Sequence, residues 1–456
     1  MVLGVPKATA GWLGLLLGTG ALYFTTLWGT TPAYVSDTQA YQYLASRLAA
    51  LQIDQLPYRT IGYPIILVLT GSTDHLTPML YVVQLAFHLS VVWMIVALAQ
   101  RFALPRVASL LLAVTLMSPP IMQKVTMGLT ETSCEFFVVL TVLFFVRWAE
   151  RRRASDAVLA GFAVAIAGLI RPTYQVFGLF MALAALIWLW RRAGPRKAML
   201  SAVFLATGTM LLIGGVTVFY AFKFGYLGPS PMIGWHLTNK TSLFIEHLPD
   251  SELAKASLVE ARNATFALDP KHQGADYVWP IMDELAAKLG MTRAQASSHM
   301  LLLNLRLIAA RPGDYLASVF TAAAGYVLPS TSGIADDRGA PGLGFLLLHL
   351  ASLFAFILQL FGMGGLSLVR RLGVSVRGPF NRPAARVTWW FTLALVAYTA
   401  GVSVMTEIGD PRLRTPTDPL ILLVAFGGIY MIGIALRGTR VQQEGAKASE
   451  VTAAGQ

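Results

Sequence analysis

Glu131-Thr132-Ser133-Cys134-Glu135 opens a run that stays apolar from Phe136 to Val146, interrupted only by Thr141, and closes on Arg147-Trp148-Ala149-Glu150-Arg151-Arg152-Arg153. A polar, acidic end, an apolar middle and an arginine-rich end form the pattern of a helix that crosses a bilayer with its basic end in the cytoplasm. We read it as a span over Glu131–Arg147. Similar stretches recur at Gly11–Thr30, Met79–Ala99, Val107–Met122, Val158–Ile170, Tyr174–Trp190, Ala198–Phe222, Phe345–Val369, Val387–Met405 and Pro419–Leu436. A hydrocarbon core of roughly 30 Å takes about 20 helical residues, so Val107–Met122 and Val158–Ile170 are short by that measure. The expected fold is an all-α membrane protein with about ten transmembrane helices. The first span follows a single Lys7 and has no convincing cleavage site after it, which reads as a retained signal anchor.

Composition agrees. The chain has 456 residues, 55% hydrophobic and 13% charged, with mean hydropathy +0.61. Soluble domains carry roughly 25% charged residues, so a string of soluble domains is excluded, and the abundant apolar side chains exclude a disordered chain. The net charge of +12 resembles that of a nucleic-acid binder until the charges are located. With the N-terminus inside and the spans alternating, nineteen of the 35 basic residues fall in inner loops against four acids, Glu150, Asp156, Glu444 and Glu450. The excess is a topology signal, not a nucleic-acid footprint. Both termini are then cytoplasmic.

Three regions follow: an N-terminal membrane core over 1–222, with its first outer loop at 31–78; an external helical cap over 223–344; and C-terminal spans with a cytoplasmic tail over 345–456. Within the cap, helices are expected at Ser251–Ala267, Asp276–Leu289 and Thr292–Ala310, the last with Thr292 as N-cap and an end at Arg311-Pro312. Ala317–Leu328 is apolar, but crossing there would put Arg370–Arg386 outside, so it reads as an interfacial helix. Cys134 is the single cysteine, which excludes an intrachain disulfide and a cysteine zinc site. His236, His247, His272 and His299 match no metal spacing and read as scattered polar surface.

The outer turns hold the chemistry-bearing residues. In Tyr34-Val35-Ser36-Asp37-Thr38-Gln39-Ala40-Tyr41, Ser36 and Gln39 form a capping box that starts an interfacial helix, with Asp37 in its first turn. Asp37 either complements the helix dipole or acts on a substrate. Tyr58-Arg59-Thr60-Ile61-Gly62-Tyr63-Pro64 offers Arg59, a snorkelling arginine or an anion ligand. Thr132 and Glu135 read as a second capping box, leaving Glu131 without a structural reason. Arg171 precedes Pro172-Thr173-Tyr174. In Asp410-Pro411-Arg412-Leu413-Arg414, two arginines face outward, while Asp418-Pro419 reads as an N-cap with its N1 proline. Asp37, Glu131 and Asp410 thus gather with Arg59, Lys124, Arg171, Arg412 and Arg414. A departing phosphate needs positive charge around it, and an attacking hydroxyl needs a carboxylate to take its proton. Glycosyl transfer from a lipid phosphate needs both.

Asp37 opening an interfacial helix, followed by Arg59-x-x-Gly62-Tyr63-Pro64, resembles the first outer loop of the GT-C glycosyltransferases. These are polytopic enzymes that use polyprenyl-phosphate sugars, the protein O-mannosyltransferase and aminoarabinose transferase groups among them. Thr130-Glu131, Arg171-Pro172-Thr173, the Asp410–Pro419 segment and Ala309-Ala310-Arg311-Pro312-Gly313-Asp314-Tyr315-Leu316 resemble later parts of bacterial members. Two positions depart: Ser36 stands where many relatives have a second acid, and Leu413 follows Arg412 where tyrosine is common. The resemblance implies a GT-C-like bundle and an inverting transferase with Asp37 as general base. It implies donor phosphate on Arg59, and substrate contacts from Tyr63, Glu131, Arg171, Asp410, Arg412 and Arg414. Lys124 and His236 are further candidates for acceptor or phosphate contact. The implied partners are a lipid-linked sugar donor, a glycan, glycolipid or protein acceptor, and membrane lipids, without nucleic acid. The implied location is a bacterial inner membrane, with the site facing outward. No D-x-D pair lies at the membrane surface, Asp336-Asp337 falling in a Gly-rich loop, so no obligatory metal or other cofactor is expected. The rival readings are an O-antigen ligase or polymerase, which would rely on His236 and Arg262 in the large loop, and a lipid-linked-sugar transporter or flippase. The span interiors, nearly free of charge, weigh against transport.

Overall fold

The computed structural model describes residues 7–35, 37–53, 57–102, 104–268, 277–327, 383–407 and 411–430, with four single positions between 347 and 354. Among these residues no strand forms; an isolated parallel bridge joins Ala33 and Met127. The membrane half contains α1 (Lys7–Trp28), α2 (Thr38–Ala49), α3 (Gly62–Leu69), α4 (Pro78–Arg101), α5 (Arg106–Leu116) and α6 (Pro119–Met122). It continues with α7 (Glu131–Arg151), α8 (Ala154–Ile170), α9 (Phe177–Ala193), α10 (Pro195–Gly208) and α11 (Gly214–Phe224). Among the described residues, five helical segments are long and apolar enough to cross a bilayer: Pro78–Arg101, Glu131–Arg151, Pro172–Ala193, Pro195–Phe224 and Ala385–Thr406. The chain is an all-helical, multi-pass membrane protein.

Several expected spans differ. Val107–Met122 is not one helix, because Pro119 and Pro120 follow Ser118 and start a separate turn. The 11-residue α5 rises only about 16 Å at 1.5 Å per residue. α8 has 17 residues and remains short. α1 has 22 residues and is not among those five. Thr77 caps α4, its hydroxyl accepting from Leu80 N–H at 3.4 Å, with Pro78 opening the helix. Phe345–Val369 lies outside the described residues apart from those four positions. Of Pro419–Leu436, the described part is helical to Tyr430.

α7 is the centre of the bundle. It packs on α4, α8, the turn Thr415–Thr417 and α17 (Pro383–Thr406). Its buried face joins Val139, Val142, Val146 and Trp148 to Val92, Val164 and Phe391 in one apolar core. The cap comprises α12 (Ile233–Thr241), α13 (Leu253–Leu268), α14 (Val278–Lys288), α15 (Arg293–Ala310) and α16 (Pro312–Val327). A second core of Trp235, Leu258, Met282, Met300 and Leu303 belongs to it. Thr292 is the N-cap as the sequence predicts, and the structure extends it to a capping box, with Thr292 N–H donating to Gln295 Oε1 at 3.0 Å. Lys240, almost wholly buried, fastens the cap to the membrane helices. Its Nζ donates to the carbonyls of Ser318 (3.2 Å) and Glu407 (3.1 Å).

Candidate active site at the outer turns

Two small docking devices bring the first outer loop to the bundle. Ala33 N–H donates to Thr126 O (2.6 Å), Gly128 N–H to Ala33 O (3.1 Å), and Thr38 Oγ1 to Gly128 O (3.1 Å). A Cβ on Gly128 would press on the Leu76 Cδ1 methyl at 2.8 Å and the Thr38 Cγ2 methyl at 3.0 Å, so glycine lets the segments close without moving those side chains. This sets Asp37 beside the start of α7, where Glu131 sits. Thr60 Oγ1 donates to Ile170 O (2.8 Å), and a Cβ on Gly62 would lie 2.6 Å from the carbonyl carbon of Leu169. The Arg59-x-x-Gly62 spacing therefore docks the loop on the end of α8, next to Arg171.

The result is one chain of ion pairs drawn from five separated segments. Arg59 Nη2 donates to Asp37 Oδ1 at 2.6 Å, and Arg412 Nη2 to Asp37 Oδ2 at 2.7 Å. Arg412 Nε also donates to Glu131 Oε1, which accepts from Arg171 Nη2 at 3.2 Å. Arg171 Nε donates to Thr130 Oγ1 at 3.1 Å. Three guanidinium groups surround two carboxylates, leaving an excess positive charge. The cluster has a front and a back. The side chains of Asp37, Arg59 and Arg412 are 22%, 21% and 29% exposed, whereas Glu131 is 4% and Arg171 11% exposed. A substrate can reach the front three, while Glu131 and Arg171 brace Arg412 from behind.

Burial alone would raise the Asp37 carboxyl. The charges of Arg59 and Arg412, the Arg412 hydrogen bond and the more distant Arg171 outweigh it, so its pKa lies below the ordinary carboxylate value. Arg412 is held protonated chiefly by Glu131, against the opposing effect of burial and with the help of Asp37. Asp37 stands at the N-cap position of α2 in helical backbone geometry, not in the first turn, and its side chain caps nothing. Its carboxylate is committed to the arginines instead. Ser36, the other half of the expected capping box, lies outside the described residues, as does Asp410.

Other expected contacts fall elsewhere. Arg414 is 2% exposed, donates to Asp418 Oδ1 (2.8 Å) and Tyr326 O (2.5 Å), and shares Asp418 with Lys124 at 3.4 Å. Asp418 is thus an ion-pair partner inside a turn-to-helix junction, not a simple N-cap. Tyr63 is fully buried; it stacks edge-on against Tyr41 at 5.3 Å, and its hydroxyl has no hydrogen-bond partner among the described residues. His236 of the cap pairs with Glu407 at the end of α17, away from the cluster's described ion pairs. The Thr132–Glu135 capping box does not form: Thr130 is the N-cap of α7, and Glu135 points inward, 3.5 Å from His88. The membrane core therefore does contain a buried ionisable pair. Sequence reading missed Thr130, Tyr41 and Tyr58. Arg59 lies 5.4 Å over the Tyr41 ring and 5.8 Å over that of Tyr58. The i+4 step from Asp37 to Tyr41 was the available signal.

Among the described residues no group of three or more His, Cys, Asp or Glu side chains assembles to hold a metal ion. No family model matches the chain, and no curated protein matches its sequence. Among solved structures, it is similar to the crystal structure of ArnT from Cupriavidus metallidurans bound to undecaprenyl phosphate. The identity is 11%, over 92% of this chain and 78% of that one, with a TM-score of 0.38. Chains this far apart can share an arrangement of helices without sharing chemistry, so the chemical reading rests on the ion-pair cluster itself.

Proposed function

We propose that the chain is an inverting glycosyltransferase of the GT-C kind, moving a sugar from a polyprenyl-phosphate donor to an acceptor hydroxyl at the outer face of the membrane. The observation that carries this reading is a solvent-reachable carboxylate gripped by two arginines, with a buried Glu–Arg pair behind them. In the resting cluster Arg59 and Arg412 neutralise Asp37. A donor phosphate competes with that carboxylate for both guanidinium groups, through charge-assisted hydrogen bonds of the same type. As the arginines turn to phosphate, Asp37 loses the charges that hold its pKa down and becomes a better base. The acceptor O–H gives its proton to Asp37 while its oxygen attacks the anomeric carbon. The bond from that carbon to the phosphate oxygen breaks, and polyprenyl phosphate leaves with the electron pair. Arg59 and Arg412 stabilise the charge that develops on the leaving oxygen. Glu131 and Arg171 hold Arg412 in place and are positioning residues.

Incubating purified protein with a panel of polyprenyl-phosphate sugars, with and without crude glycan acceptors, tests the reading by mass spectrometry. We expect one donor to be consumed and free polyprenyl phosphate to accumulate. Consumption of none across the panel would overturn it, as would an unimpaired Asp37→Asn variant.

A further inference from the structure

A second opening adjoins the cluster. A cleft of about 760 Å³ is lined by Tyr43 and Arg47 of α2, Tyr58 of the following connection, Phe224 at the end of α11, and Asp283 and Arg293 of the cap. Its size falls within the roughly 300–1,000 Å³ of small-molecule sites. Tyr58 joins it to the ion-pair cluster: Arg293 lies 5.3 Å over the Tyr58 ring, and Arg59 lies 5.8 Å from the same ring. Along α2, Tyr43 and Arg47 stand about 9 and 15 Å beyond Asp37 at 1.5 Å per residue. The cleft therefore begins beside the reacting cluster and leads away from it.

Its lining selects a ligand class. Tyr43 is 59% exposed, and a tyrosine ring offers a flat apolar face with a polar tip. Arg47 donates through Nε to Gln52 O at 3.0 Å, and Arg293 pairs with Asp283 through both Nε and Nη2. Rings, forked donors and a carboxylate in one cleft match the alternating C–H faces and hydroxyls of a sugar chain. An isoprenoid tail would leave the Arg293–Asp283 pair against hydrocarbon, where its polar groups lose water. With two arginines and one acid, the lining is too weakly positive for a polyanion.

We infer that this cleft binds the remote sugar units of an oligosaccharide acceptor, holding a terminal hydroxyl toward Asp37. The direction of attack rests on the glycosyl-transfer reading, but binding in the cleft can be tested without it. The full-length protein in nanodiscs is applied to an array of defined neutral and anionic oligosaccharides. We expect a set of related glycans to be retained, with at least tenfold weaker binding in Tyr43→Ala and in Arg47→Gln. Tyr43→Phe, which keeps the ring face, restores most of it. Tyr43 is exposed, so truncating it removes little packing, and gel filtration of each variant checks the fold. Retention of no oligosaccharide, or equal retention by wild type, Tyr43→Ala and Arg47→Gln, overturns the inference. The two readings fail separately. Tyr43-dependent glycan binding without consumption of any donor leaves the cleft and removes glycosyl transfer. Donor consumption with Tyr43-independent glycan binding does the reverse.

Discussion

Arg412 and Arg414 stand two residues apart in the same outer turn, and their surroundings differ completely. Arg412 bridges two acids from different segments and remains 29% exposed. Arg414 pairs with an acid of its own segment, donates to a backbone carbonyl of α16, and is 2% exposed. The first arrangement leaves a charge where a ligand can compete for it; the second spends the charge on holding the turn against the cap. Charge in an outer turn thus does not distinguish a site from a strut. Exposure and the origin of the partner do.

The largest expected effect belongs to the strut. Arg414→Ala takes the nearer guanidinium from buried Asp418, whose Lys124 contact is longer at 3.4 Å, and breaking a buried pair costs about 3–5 kcal/mol. We expect loss of monodisperse protein in gel filtration, whereas Arg412→Ala remains folded. If Arg414→Ala folds normally and Arg412→Ala aggregates, the assignment of the two arginines is reversed.

Asp37→Asn comes next, and here the effect is on chemistry. Losing a general base typically costs about 10²- to 10⁴-fold. We expect transfer to fall within that range in a donor-consumption assay while the protein stays monodisperse. A loss below tenfold would remove Asp37 from the role of base.

Arg59→Ala sharpens the electrostatic half of the comparison. Hydrogen bonds to charged groups contribute about 1.5–3 kcal/mol, so the donor KM should rise roughly 10- to 100-fold. The pH profile carries a second sign. The folded pKa of Asp37 is depressed, so its ionised form persists at neutral and mildly acid pH, and the rate falls only as pH drops through the lowered value. The stability gained from the ion pairs is likewise present above the unfolded pKa and lost as pH falls through the folded one. Removing Arg59 takes away a major lowering charge, so the acid limb of the rate profile should move to higher pH. An unmoved limb would mean that Asp37 does not titrate in that profile.

The sequence pointed to a multi-pass helical membrane chain and, through motif and sidedness, to all five segments of the cluster. Arg59-x-x-Gly62 was legible because its glycine and threonine have a local steric task against Leu169 and Ile170. What it could not show was partnership across hundreds of residues. Arg412 meets Asp37 and Glu131, while Arg414 meets Asp418, and nothing in Arg412-Leu413-Arg414 distinguishes these outcomes. Spacing also misled where a capping pattern coincided with burial. Thr132 and Glu135 have capping-box spacing, but the helix starts earlier because Glu131 is drawn into the ion pairs, and Glu135 turns into the core. In the expected third span, Pro119 and Pro120 lack the N–H groups a continuing helix needs, and they break it despite the apolar run around them.

Glu131 and Glu135, one helical turn apart on α7, extend the same comparison to the smallest effect. Glu131 accepts from both Arg412 and Arg171, so Glu131→Gln removes the charge that aligns two guanidinium groups and should lower transfer at least tenfold. Glu135 is equally buried, but neither of its carboxylate oxygens has a hydrogen-bond partner among the described residues, and His88 Nδ1 at 3.5 Å is too far for a good one. His88 is itself satisfied through Nε2 against Leu116 O at 3.0 Å. An isosteric amide at 135 empties no space and breaks no close hydrogen bond, so Glu135→Gln should change thermal stability by no more than about 1 kcal/mol, in either direction. It should also leave donor consumption within about twofold. This variant also discriminates between functions, because ionisable groups within the membrane mark transport pathways in carriers. If Glu135→Gln abolished function while Asp37→Asn did not, the working residues would lie inside the bundle and the lipid-linked-sugar carrier reading would prevail.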